Sequence, residues 1–305
     1  MKRNGRFLRA VCVIAISIML VCCSAAAASA DEIVAPYDED GAEGRIARLL
    51  ADLLKLPVTL TGNGTNDEAA NRMLSEPGIL LVDSQAAPIA GLQGYTDEDL
   101  RTEMVPVCVV AESPLYIVMD AHKAEEYGIS DAETLAGYIR EHEYELTFAR
   151  HIGADVIDRA VTLLGNNVAV LTDYFMPEEI PEILHTGEAD GTVMTGAELA
   201  NNADELLILC CLGENRSEAF PDVSCAAEAG FPVCRGETMW IFTSVKTDSD
   251  LIEQYARKIS EAELELPDGF ERRSLTGDAL QEDLQTLFAD LKSYMTSEGL
   301  FFYEE

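Results

Sequence analysis

Apolar positions recur along this chain with two periods that take turns. Over 43–55 they fall at Ile46, Leu49, Leu50, Leu53 and Leu54. That i, i+3, i+4, i+7, i+8 spacing is one face of a helix, and Pro57 stops it. Between such segments stand short runs of apolar, strand-favouring residues, at 33–37, 58–60, 79–82, 105–110, 115–119, 146–149, 168–171, 191–194, 206–211 and 240–244. Further helices are predicted at 66–74, 154–164, 177–185, 250–262 and 278–295. Another opens on the capping box Ser130-Asp131-Ala132-Glu133 and runs to His142. Strands alternating with helices predict an α/β fold of mostly parallel sheets.

The stretch 121–235 forms a self-contained series of such units. The flanks, 31–120 and 236–305, then make one lobe together and the middle another, joined by crossings near 120 and 235. In α/β sheets ligands sit at the carboxyl ends of strands, where helix N-termini offer free N–H groups. A cleft between the two lobes is the expected site.

Residues 1–30 have a different pattern. Lys2, Arg3, Arg6 and Arg9 precede an apolar run over 11–21, and small residues ending Ala28-Ser29-Ala30 follow. This is the layout of a signal peptide cleaved after Ala30. Lipid attachment at Cys23 is the rival reading, because Leu20-Val21-Cys22-Cys23 loosely resembles a lipoprotein box. Both place the protein outside the cytoplasmic membrane, in the periplasm or at the cell surface. No later apolar stretch approaches the roughly 18 to 20 residues that span a bilayer, so the body is expected to be soluble.

Composition narrows the partners. The 305 residues carry 55 acidic and 21 basic side chains, and losing the leader takes the net charge from −34 to −38. Nucleic acid and anionic lipid both need basic surface, so neither is an expected partner. Five cysteines follow the leader: Cys108, Cys210, Cys211, Cys225 and Cys234. Cys225 and Cys234, flanking a loop with Gly230 and Pro232, are the best candidates for a disulfide; the alternative is that all five are small buried hydrophobes. No cysteine or histidine spacing suits zinc.

Catalytic motifs are missing. There is no G-x-S-x-G elbow, Walker loop, G-x-G-x-x-G or H-E-x-x-H. The histidines, His122, His142, His151 and His185, are scattered and are read as surface residues rather than catalysts. Asp38-Glu39-Asp40-Gly41 does not meet the positions of a calcium loop and is read as a solvated loop. Neither an enzyme nor a cofactor is implied.

Several segments, in order, resemble the Bug-type solute receptors of tripartite tricarboxylate transporters. APYDEDGAEGRIARLLADLL (35–54) is similar to that family's first strand, Gly-rich loop and helix, and EPGILLV (76–82) to its next strand. LTFARHIGADV (146–156) resembles the strand and loop that enter the cleft from the second lobe. TDYFMPEEIPEILHTGEADG (172–191) is similar to the helix that ends in Gly-x-Val-Asp. NRSEAFPDVSCAAEAGF (215–231) resembles the Arg-Ser…Pro-Asp-Val stretch, and Trp240 falls where a Trp commonly follows.

The resemblance implies a type II periplasmic-binding-protein-like fold with two lobes. It also implies capture of a small molecule, most often a carboxylate, and its delivery to a two-component membrane permease. A receptor serving a sensor or signalling partner is the alternative. The ligand-binding positions it implies are Tyr37, Gly41, Ala42, Glu43, Gly64 and Thr65 in the first lobe, and Arg150, His151, Gly153, Tyr174 and Asp190 in the second. Gly41 has an alternative role in a turn requiring positive φ, and Tyr174 in packing. The family's Gly-Gly-x-x-Asp reads Asp40-Gly41-Ala42-Glu43-Gly44 here, so an acid replaces a glycine. A carboxylate ligand would be repelled by that loop and is expected to be anchored from the second lobe by Arg150, whose alternative is solvent or a local acid such as Asp155.

Overall fold

The structure, a computed structural model, describes residues 31–62, 66–84, 86–96, 99–151, 160, 168–176, 178–202 and 206–297. The leader with Cys23 and the helix expected at 154–164 fall outside the described residues, apart from Ala160.

The described strands form two sheets. The first contains β1 (Ile33–Ala35), β2 (Val58–Leu60), β3 (Leu80–Asp83), β4 (Met104–Ser113), β10 (Glu237–Ser244) and β11 (Glu271–Leu275), in the order β11-β4-β10-β3-β1-β2. The second contains β5 (Leu115–Asp120), β6 (Thr147–His151), β7 (Ala169–Phe175), β8 (Gly191–Thr195) and β9 (Leu206–Cys211), in the order β7-β6-β8-β5-β9. Sheets of mostly parallel strands were expected, but both are mixed. β1 runs parallel to β2 and β3, whereas β10 is antiparallel to β3 and β4. β6 is parallel to β7 and β8, whereas β5 is antiparallel to β8 and β9. The cause is the chain's route: β5 enters the second sheet and β10 re-enters the first across a crossing, and each runs against its neighbours. The first crossing falls at Pro114, before the expected boundary at 120. β4 ends at Ser113 and β5 starts at Leu115 in the second sheet, with Pro114, which supplies no N–H for a ladder, between them.

Both faces of each sheet are covered. Val34, Leu81, Trp240 and Phe242 pack into one core, while Ile33, Leu80, Val82, Met239 and Ile241 pack into another on the opposite face. Such strands read as unbroken apolar runs rather than alternations. Helix α1 (Ala42–Leu54) closes the second of these cores with Ile46, Ala47, Leu50, Ala51 and Leu54. It ends at Lys55, which takes the left-handed conformation at φ 60° and donates its N–H to the Ala51 carbonyl. Truncating Leu50 to Ala would cost about 2–5 kcal/mol.

Helix α2 (Asn66–Ser75) packs near β3, α3 (Ala86–Gln93) follows that strand, and α4 (Leu100–Glu103) leads into β4. In the second lobe come α5 (Ala121–Tyr127), α6 (Ala132–Glu141), α7 (Ile180–Thr186), α8 (Gly196–Asn202) and α9 (Ala226–Ala229); α10 (Ser249–Ser260) and α11 (Gly277–Ser297) finish the first lobe. The cap of α6 lies one residue later than expected. Asp131, not Ser130, accepts from Thr134 N at 2.8 Å, and Thr134 Oγ1 accepts from Asp131 N at 3.0 Å. Among the described residues no helix is long and apolar enough to cross a membrane.

All five described cysteines are buried thiols outside any disulfide, so the expected Cys225–Cys234 bridge is not present. Cys225 Sγ lies 3.2 Å from the Glu214 carbonyl, whereas Cys234 Sγ lies 3.7 Å from that of Pro232. The two thiols are engaged with different stretches of backbone.

Candidate functional site

Four carboxylates meet where the lobes face each other. Asp83 ends β3; Glu43 stands in the first turn of α1; Glu237 opens β10 just after the second crossing; Glu198 lies in the first turn of α8 in the other lobe. Asp83 is fully buried. Its Oδ2 accepts from Ala87 N at 2.7 Å, and Tyr37 Oη lies 3.4 Å from its Oδ1. Tyr37 in turn accepts from Ser84 N at 2.8 Å. Burial pushes the Asp83 carboxyl up to about 6, against the hydrogen bonds that hold it down.

Glu237 is shifted further. Burial first, then the charges of Glu43 and Glu198, push its carboxyl up to about 8, although the Ser84 side chain hydrogen-bonds to it. Glu43 is raised by burial and by Glu198. Burial and Asp83 raise the Tyr37 phenol well above its ordinary range. Removing carboxylates from water beside one another favours their neutral forms.

On the second lobe, Glu198 Oε2 accepts from Thr195 N at 2.7 Å and from Thr195 Oγ1 at 3.1 Å, fixing the carboxylate across the start of α8. Its other oxygen is 3.5 Å from Nδ1 of His151. His151 was expected at the surface but is 1% exposed. It is the last residue of β6 and leaves that strand on its covered face, toward Thr192 of β8, whose Oγ1 is 2.9 Å from Nε2.

Hydroxyl, imidazole and carboxylate in this order resemble the relay of nucleophilic enzymes. Thr192 is unsuited to that chemistry. It is completely buried inside the sheet, and its hydroxyl donates to the Ala149 carbonyl at 3.0 Å. With that proton committed, Thr192 accepts from Nε2–H of His151.

Of the expected positions, Tyr37 and Glu43 share the environment of Asp83 and Glu237, His151 reaches it through Glu198, and Gly41 and Ala42 open the helix that carries Glu43. Gly41 is the N-cap of α1 with φ −66°, so positive φ is not its reason for being glycine. Gly44 carries the steric constraint instead: a Cβ there would lie 2.0 Å from the Asp38 carbonyl oxygen. Arg150 is half-buried in β6 beside His151, opposite Tyr174 of β7. Alternation along a strand sends it to the other face from His151.

Asp190 is placed apart from the rest. It precedes β8, at the end of the second sheet away from His151. Its oxygens accept from Tyr127 Oη at 2.9 Å and from Thr147 N and Oγ1, both at 2.8 Å. Those bonds tie β6 to β8 and make Asp190 a structural clasp. Gly64, Thr65, Gly153 and the side chain of Tyr174 lie outside the described residues. Asp83, Glu198 and Glu237 were not anticipated. An acid ending the buried run 79–82 was a readable signal for Asp83; nothing local distinguished the other two among 55 acids.

Behind these groups the lobes are tied together. Ser113 Oγ donates to the Gly269 carbonyl at 2.9 Å and accepts from Ala197 N at 3.0 Å. Tyr116 Oη donates to Ser217 Oγ at 2.6 Å, and Ser217 reaches Glu271 of β11 at 2.5 Å. A cavity of about 630 Å³ beside this tie shares no lining residue with the carboxylate cluster. Its arginines are already engaged: Arg216 with Glu228, Arg235 with Asp283, Arg273 with Glu112 and Asp283, and Arg272 with the Val110 and Ile259 carbonyls.

No protein-family model and no curated protein matches the sequence. Solved structures do match in fold. A TctC solute-binding protein from Polaromonas superposes with a TM-score of 0.68 at 14% identity, over 87% of this chain and 97% of that one. The periplasmic binding protein BugD gives 0.62 at 15%, over 88% and 97%. MatC from Rhodopseudomonas palustris, with bound malate, gives 0.58 at 18%, over 87% and 97%. The chain therefore has the two-lobed α/β fold of periplasmic binding proteins, over nearly the full length of these structures.

Proposed function

We propose that this chain is an extracytoplasmic solute-binding protein. It captures a small molecule between its lobes and delivers it to a two-component membrane permease of the tripartite tricarboxylate type. The observation that carries this reading is the convergence of Tyr37, Glu43, Asp83 and Glu237 from one lobe with Glu198 and His151 from the other, at the facing edges of two sheets. Groups divided between two bodies are brought to one ligand only when the bodies close. Export through the leader, with cleavage after Ala30 or lipid attachment at Cys23, belongs to the same proposal, as does a non-catalytic role.

The similarity to a malate-bound protein supports a carboxylate on the ligand. For such a group the anchor we propose is Arg150 of β6, on the opposite face of the second sheet from His151 and so apart from the carboxylate cluster. A thermal-shift screen of carboxylates, amino acids, amines and nucleosides tests the reading. A ligand at 100 times its dissociation constant stabilises the fold by about 2.7 kcal/mol. Hits are expected to shrink the radius of gyration in small-angle scattering. Silence across the whole screen would overturn the receptor reading.

A further inference from the structure

We propose that Glu271 is a latch on the far side of the hinge, and that it holds the cleft open until a solute closes it. This deepens the receptor reading and rests on it.

The strand orders place the latch. In the first sheet β4 and β10 carry the crossings; β3, β1 and β2 lie to one side of them and β11 to the other. In the second sheet the first crossing delivers β5, with β8, β6 and β7 on one side and β9 on the other. Contacts between the lobes follow the same division. On the cleft side the charge of Glu198, which follows β8, acts on Glu43 and Glu237. On the other side the chain beyond β9 meets β11. The cavity of about 630 Å³ lies there, lined by Gly213, Asn215 and Ser217 of the second lobe and by Glu271, Arg273 and Thr286 of the first. Two bodies that hinge about strands running between two gaps cannot narrow both gaps at once. Closing the cleft widens the cavity.

Glu271 bridges that widening gap. Its backbone is fixed in the first lobe by pairing with Glu112 of β4. Across the gap, Ser217 Oγ accepts from Tyr116 Oη at 2.6 Å and from Ala219 N at 3.0 Å, so both its lone pairs are taken. Its own proton goes to Glu271 Oε1, 2.5 Å away. The same oxygen accepts from Glu218 N at 2.9 Å and lies 3.4 Å from Ala219 N. Hydrogen bonds to a carboxylate are roughly twice as strong as neutral ones. Ser217 and Tyr116 are buried, so a departing Glu271 leaves the Ser217 hydroxyl without its acceptor. The latch therefore resists the motion that closes the cleft, and a solute overcomes it only through its extra affinity for the closed state.

The test compares Glu271→Ala, Ser217→Ala and Glu271→Gln with the parent, each as the mature full-length protein. Small-angle scattering reads the ligand-free radius of gyration, and calorimetric titration with malate, succinate and adipate reads affinity. Circular dichroism with a melting curve verifies folding, and Ser217→Ala carries the test if Glu271→Ala does not fold. Both alanine variants are expected to have a smaller ligand-free radius than the parent. Any of the three acids that binds the parent is expected to bind them about tenfold more tightly, because less of its affinity is spent on closure. Glu271→Gln keeps a carbonyl oxygen for Ser217 and should fall between. A radius and an affinity left unchanged by the alanines overturn the latch, and so does a larger radius or weaker binding. Where none of the acids binds, the radius alone decides the latch, while the receptor reading stands or falls by the solute screen.

Discussion

Gly196 and Gly269 meet backbone to backbone across the two lobes. A Cβ built on Gly269 would lie 2.2 Å from the Gly196 carbonyl, and one on Gly196 would lie 2.6 Å from the Gly269 carbonyl. Gly269 also has φ +82°, a conformation that L side chains rarely adopt. Gly196→Ala adds only the steric clash, and Gly269→Ala adds strain as well. We expect each to cost about 1–3 kcal/mol, with Gly269→Ala the worse. Both should enlarge the ligand-free radius of gyration in scattering, because the wedge sits between the lobes. An unchanged radius with a lowered melting temperature would place the damage within one lobe.

Stability should fall as pH rises from about 4.5 to 8. Glu237 has its folded-state carboxyl pushed from an ordinary 4.5 up to about 8, and Asp83 from 3.8 up to about 6. In both cases the folded state holds the proton more tightly than the unfolded chain. Their contribution is therefore complete below the unfolded value and is lost as pH climbs through the folded one. Melting curves across that interval should show the decline, and Glu237→Gln, which cannot ionise, should flatten its upper part. A variant as steep as the parent would assign the slope to other acids.

Asp190→Asn should damage stability and spare binding. An amide can replace one of the two acceptor oxygens, and its NH₂ then faces either the Tyr127 hydroxyl or the Thr147 donors. A loss of about 1–3 kcal/mol is expected, while the affinity of any calorimetric hit should stay within about twofold. A large drop in affinity with little change in melting would return Asp190 to the binding site.

The thiols should be silent until the chain unfolds. Burial pushes Cys108 and Cys210 up to about 12, leaving almost no thiolate at neutral pH. A chromogenic thiol reagent should find none of the five described cysteines in the native protein and all of them in denaturant. Reductant should leave the melting temperature unchanged. A clear fall on reduction would reinstate the Cys225–Cys234 bridge.

Much of the scaffold was legible in the sequence, and the site much less so. The buried strands announced themselves because Leu80, Leu81 and Val82 face cores on both sides, and α1 because Ile46, Leu50 and Leu54 share one face. β11 stayed hidden. Its residues, Glu271 to Leu275, are charged and partly exposed, and what makes them a strand is the neighbouring β4. The turn at 38–41 before α1 was legible from its glycine and acids, yet Gly44 matters through Asp38, a contact no local pattern reveals. Glu198 and Glu237 became site residues only when distant segments met. Their type was visible; their company was not.

β10 lies between β3 and β4, with Trp240 opposite both Asp83 and Val109. The first sheet thus lacks an interior strand until the chain beyond residue 236 is available, whereas the strands of the second sheet all come from one uninterrupted stretch. A polypeptide emerging from its N-terminus can assemble the middle lobe early, and β1 can pair with β2 and β3, but β3 and β4 must wait for the strand that joins them, a segment near the far end. Long-range pairing of this kind is slow. Under the export proposed above, that delay has a use: the first lobe stays threadable for as long as its missing strand is still being made.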